Sequence, residues 1–158
     1  MTLRKAYELA GVTEPLALHH AYCELEQPLF KERTWDYDNP DQLHNRIKLE
    51  IEEENLDSLS EEERVWCREI LWFWHHHAIS CAVWKQNLEA GRFHAESALA
   101  YQEADHPNKI TRLLFLLLNG SLGEAKQCAD NIQDEVEGPT AQALVEWYEN
   151  GEFFGSPR

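Results

Sequence analysis

The stretch Ser60–Ala90, SEEERVWCREILWFWHHHAISCAVWKQNLEA, decides the fold. It contains neither Gly nor Pro, the residues that most often interrupt a helix. Ser60 and Glu63 form the S-x-x-E pattern of a capping box, in which each side chain accepts a backbone N–H of the other residue. Beyond the box, Trp66, Ile70, Trp74, His77, Cys81, Trp84 and Leu88 recur at spacings of three and four, the period of one helix face. Leu71, Phe73, Ala78 and Val83 widen that stripe nearly all round. A helix apolar on most sides is covered by neighbours on more than one face, so a long central helix over residues 60–90 is expected.

Downstream the pattern shortens. Gly91, His106-Pro107, Asn119-Gly120, Gly138-Pro139 and Asn150-Gly151 bound helices expected at 92–105, 109–119, 122–134 and 139–150. Ser121 and Glu124 make a second capping-box pattern. Upstream, Thr2 caps a first helix ending at Gly11, and Thr13 with Pro15 opens a second that runs to Glu26. Residues 28–38, PLFKERTWDYD, read as a connecting loop with aromatic anchors, and Asn39-Pro40 opens a helix through Leu43, Ile47 and Ile51. The expected architecture is a single all-α domain over residues 1–158. It is either an antiparallel helical-hairpin array or an irregular bundle of about seven to eight helices.

Three expected helix ends share a form: Ala90-Gly91-Arg92-Phe93, Asn119-Gly120-Ser121-Leu122 and Asn150-Gly151-Glu152-Phe153. Their glycines are 29 and 31 residues apart, a period that stacked helical hairpins produce. The run Gly120-Ser121-Leu122-Gly123-Glu124-Ala125 resembles the turn of the tetratricopeptide repeat family: Gly, then an aromatic residue or Leu, then Ala three residues later. Gly91 with Phe93 and Gly151 with Phe153 match that turn in part, and Pro107 falls near the family's terminal proline. The resemblance covers residues 70–155. Where that family carries a small residue, seven before the turn Gly, this chain has Trp84, Leu113 and Leu144, whose bulk spreads the paired helices. The resemblance implies a module that binds a peptide or helix of a partner protein on a concave face.

Charge and composition narrow the function. The chain carries 14 basic and 29 acidic side chains and a formal net charge of −15. That charge repels nucleic-acid backbones and anionic membranes, so neither is an expected partner. Another protein is expected instead, a basic surface being the complementary choice, with an acidic mimic of nucleic acid as a further alternative. Cys23, Cys67, Cys81 and Cys128 form no C-x-x-C pair, and Glu8 and Glu14 interrupt any signal-peptide core. The longest unbroken aliphatic or aromatic run is Leu113–Leu118, so a cytoplasmic location is expected.

No catalytic set can be assembled and no cofactor is expected. No nucleophile elbow, phosphate loop or dinucleotide fingerprint occurs. Consecutive His75, His76 and His77 point about 100° apart on a helix, so at most one or two can join residues of another helix around a metal. His20 with Glu24, and His77 with Cys81, stand one turn apart at metal-ligand spacing and are the metal candidates of an alternative reading as a metal- or ligand-binding bundle. A haemerythrin-like bundle would need a companion H-x-x-x-H, which is absent. The run Glu50–Glu63, with eight acids and no Lys or Arg, lacks the ligand alternation of a calcium loop and reads as a solvated surface. Trp35, Tyr37, Trp72 and His76 are the partner-binding candidates.

Overall fold

The computed structural model describes Tyr37, Asn39, residues 41–53 and residues 55–151. The helices expected over residues 2–11 and 13–26, with His20, Glu24, Trp35 and Phe153, lie outside the described residues, as do the side chains of Trp66 and Trp84. Among the described residues the chain is mostly helical, with six α-helices and no strand. The helices are α1 (Leu43–Glu53), α2 (Glu61–Trp84), α3 (Leu88–Tyr101), α4 (Ile110–Leu118), α5 (Leu122–Asp130) and α6 (Glu137–Glu149). A single 3-10 turn, Leu56–Ser58, precedes α2. The chain divides into two compact units, residues 1–74 and 75–158.

In the first unit Trp74 is the anchor. Its Nε1–H donates to Asn45 Oδ1 at 3.1 Å, and Asn45 in turn donates through Nδ2 to the Asn39 carbonyl at 2.7 Å. Tyr37 packs edge-on against the Trp74 ring, and Lys48 Nζ lies 4.3 Å from its centroid. Ile47, Leu49 and Ile51 alternate as a strand would, yet the segment is helical. Ile51 is buried while Leu49 is exposed. The capping box at the start of α2 forms as the sequence implies: Glu63 N–H donates to Ser60 Oγ at 3.2 Å, and Ser60 N–H to Glu63 Oε1 at 3.4 Å.

The buried face of α2 runs through Ile70, Leu71, Trp74, His75, Ala78, Ile79, Ala82 and Val83, with Cys67 and Trp72 beside it. These positions recur every four residues in adjacent pairs, which makes one broad face. His77 and Cys81, expected on the stripe, are only half-buried at its margin. The helix ends earlier than expected. Gln86 adopts φ 58°, with Asn87 N–H donating to the Ala82 carbonyl and Gln86 N–H to that of Val83. This is a Schellman closure. Thirty-four residues later Gly120, at φ 73°, closes α4 in the same way, through Ser121 N–H to the Leu116 carbonyl and Gly120 N–H to that of Leu117. Gly151, at φ 72°, ends α6.

Gly91 does not end a helix; it lies inside α3 and is buried. A Cβ there would meet Leu118 Cδ2 at 3.1 Å, so the glycine permits a close approach of α3 to α4. In the register set by the two Schellman turns, Gly91 corresponds to Ala125, Ala95 to Ala129 and Ala98 to Ile132, all buried. Seven residues before each turn stand Ile79 and Leu113, both inaccessible to solvent.

The core of the second unit is α4. It packs on α3, α5 and α6, and Leu113, Leu114, Leu116, Leu117 and Leu118 are all buried. Arg92 Nε donates to the Leu118 carbonyl at 2.8 Å, tying α3 to the end of α4. Asn108 Oδ1 accepts from the backbone N–H groups of Ile110 and Thr111 and so caps the start of α4. At the start of α5, Ser121 makes no side-chain cap bond, so the second capping box does not form. Asp134 Oδ1 accepts from the N–H groups of Val136 and Glu137, which opens α6 and holds that carboxyl below its ordinary pKa. Lys126 pairs with Glu149, and Gln142 donates to Asp130, joining α5 to α6.

Candidate functional site

The polar interior of the second unit is a histidine cluster. Because α2 turns about 100° per residue, His75 and His76 leave it in different directions. His75, 4% exposed, reaches α3, where its Nδ1 lies 3.1 Å from Nδ1 of His94. Tyr101 stacks on the His75 ring at 5.8 Å and 15°, and Phe93 meets it edge-on at 6.1 Å. One ring of the His75–His94 pair must donate and the other accept, so a single proton occupies the gap.

His76 turns to α4 instead. Its Nδ1 is 2.8 Å from Oγ1 of the fully buried Thr111, which also lies 3.4 Å from Asn108 Oδ1. His106, in the connection from α3 to α4, accepts at Nδ1 from the Asn108 N–H at 3.1 Å. Gln102 Nε2 approaches that same nitrogen at 3.2 Å and donates to the Asn108 carbonyl at 2.8 Å. With two donors on Nδ1, the His106 proton belongs on Nε2, an assignment made from the network.

Burial governs the charge of these rings. His76 is pushed down to about 4, first by desolvation and then by the neighbouring His106. His77, edge-on to His76, is pushed down to about 3 by desolvation and then by His76. Both are therefore neutral at pH 7. Neutral imidazoles can relay a hydrogen bond or ligate a metal.

A second feature is a cleft of about 360 Å³ between α4 and α5. Lys109 and Arg112 line one side, Gln127, Cys128 and Asn131 the other. Burial pushes the Cys128 thiol up, and the Arg112 guanidinium pulls it back in part.

The metal candidates His77 and Cys81 sit one turn apart on α2, both half-buried. Among the described residues, no three His, Cys, Asp or Glu side chains are gathered as a metal-ligand group. Of the partner-binding candidates, Trp72 is buried, Tyr37 is half-buried against Trp74, and His76 points inward to Thr111. His94, His106, Asn108 and Thr111 had no signal in the sequence, because they meet α2 only through tertiary packing. Among the described residues of this unit, the large apolar side chains that face solvent are Phe93, Val136 and Trp147. No described helix is long and apolar enough to cross a membrane.

Comparison with known protein families, characterised proteins and solved structures finds no match to this chain.

Proposed function

We propose that the chain is a protein–protein interaction module, an acidic cytoplasmic adaptor or small chaperone that receives a peptide or helix of a partner. The observation that carries this reading is the repeated hairpin register. Two helix-closing turns stand 34 residues apart, each followed by a buried small residue five positions on, Gly91 and Ala125. That register fits a tetratricopeptide-like array better than the glycine spacing of the sequence does. Stacked hairpins leave extended faces rather than an enclosed pocket, and such faces suit an elongated protein segment. Exposed Phe93 on α3 and Trp147 on α6 supply aromatic anchors of the kind that dominate binding energy. The three described cysteines are in no disulfide, in keeping with a reducing compartment.

The test is reconstitution. A binder cross-linked to the chain in its native host is purified and titrated against wild type, Phe93→Ala and Trp147→Ala. A loss of roughly tenfold or more in affinity in at least one variant is expected. A purified binder that holds all three forms, and their double variant, equally well would remove the proposal.

A further inference from the structure

The cleft between α4 and α5 has a basic end and an acidic end. The two helices pack together across a short turn and so run antiparallel. Arg112 acts on the Cys128 thiol, which sets these two residues level across the cleft. Glu124 stands one helical turn from Cys128, beside Leu116, toward the connecting turn. With a rise of 1.5 Å per residue, its level is about 6 Å from that of Arg112 and roughly 10 Å from that of Lys109. Among the described residues, the side chains of Arg112, Glu124, Gln127 and Asn131 enter no hydrogen bond or ion pair. On the other side of α5, Lys126 and Asp130 are bonded to Glu149 and Gln142 of α6. Lys109 Nζ donates to the His106 carbonyl at 3.0 Å and keeps two further N–H donors. Glu137 Oε2 lies 3.5 Å from the Lys109 backbone nitrogen, which weakens that end for anions and leaves Arg112 the principal cation. Leu116 and Ile132, 6% and 8% exposed, supply an apolar floor. The volume of about 360 Å³ suits a small ligand.

We propose that this cleft binds a short peptide of two or three residues with both termini free. The peptide carboxylate meets the planar guanidinium of Arg112, with Lys109 beside it, and the terminal ammonium meets Glu124. Two or three extended residues span roughly 7–10 Å, the separation of the two charged ends. Gln127 and Asn131 offer amide donors and acceptors to the peptide groups between, and apolar side chains lie on Leu116 and Ile132. The formal charge of −15 repels a purely anionic ligand, whereas a zwitterion brings its carboxylate to Arg112 with no net charge. The site uses neither Phe93 nor Trp147, so it stands independently of the partner-binding reading.

The experiment titrates the full chain with leucylleucine, followed by calorimetry and by amide NMR. One dipeptide per chain should bind, with a dissociation constant of about 1 mM or tighter. The shifted amides should centre on residues 109–116 and 124–132. Acetylating the dipeptide amine, or converting its carboxylate to the amide, should each weaken binding at least roughly tenfold. Arg112→Gln should weaken the parent dipeptide by a similar factor, yet bind the carboxyl-amidated form as wild type does. Glu124→Gln should show the same pattern with the acetylated form. Both substituted side chains are exposed, and circular dichroism checks that each variant folds. The wild-type spectrum and the blocked dipeptides decide the matter even where a variant does not fold. No saturable binding by wild type, equal affinity for free and blocked dipeptides, equal affinity in the folded variants, or shifts centred elsewhere would each overturn the proposal.

Discussion

The α2–α3 and α4–α5 hairpins close with the same turn but enclose different chemistry. Gln86 and Gly120 occupy equivalent left-handed positions, and Gly91 and Ala125 are buried small residues at equivalent positions. Before the first turn stand His75, His76 and His77; the residues 34 positions on are Lys109, Ile110 and Thr111. The hairpin geometry is thus a property of turns and small residues, while the imidazole pair His75–His94 belongs to the first hairpin. Acid should break that comparison most strongly. Above about pH 6.5 the rings of His76 and His77 are neutral whether the chain is folded or not. Below it the unfolded chain takes up protons that the folded chain refuses, until pH reaches about 4 for His76 and about 3 for His77. Depressed folded values mean stability present at neutral pH and lost on acidification, on the order of 3 kcal/mol for His76 alone. Denaturant unfolding between pH 7 and pH 4 should therefore show a steeper loss in wild type than in His76→Gln. Carboxylates titrate alike in both proteins, so parallel curves would mean that the ring is not held neutral.

The turns themselves offer the next test. Gln86 holds φ 58° with a side chain, a conformation that costs an L-residue roughly 1 kcal/mol or more relative to glycine. Gln86→Gly should stabilise the chain by up to about 1 kcal/mol, and Gly120→Ala should destabilise it by about as much. A Cβ at Gly120 meets only open space out to Tyr148 Oη at 3.9 Å, so its penalty is one of backbone conformation alone. Opposite signs in equilibrium unfolding sharpen the equivalence of the two turns. A destabilised Gln86→Gly would show that the Gln86 side chain makes contacts worth more than its strain.

What the sequence made legible was local. The Ser60–Glu63 box needs only a three-residue spacing, and it forms; the Leu113–Leu118 run announces a buried helix, and it is the core of its unit. Gly91 misled because a glycine that ends a helix and one that admits a neighbouring helix look alike in one chain. The true break at Gln86 was silent, since nothing in a glutamine signals positive φ. The error shifted the turn register by five residues, and placed α3 at 92–105 instead of Leu88–Tyr101. The His75–His94 contact was illegible for a different reason: its partners are 19 residues apart and meet only once α3 has folded back.

The smallest expected effect separates the two hairpins at their second helices. Asn87 and Ser121 each follow a left-handed residue and each precede a helix, α3 and α5. Asn87 Oδ1 accepts from Ala90 N–H at 3.1 Å, whereas Ser121 makes no side-chain cap bond. Both backbones lie short of the extended conformation usual for a cap, at ψ 84° and 61°. From there the longer amide reaches the first turn and the hydroxyl does not. Asn87→Ala should cost about 1 kcal/mol and Ser121→Ala close to nothing, while Ser121→Asn should gain about half a kcal/mol. Thermal unfolding of the three variants checks this. A cost for Ser121→Ala equal to that for Asn87→Ala would mean that the hydroxyl caps α5 in solution, and that the two hairpins are alike even there.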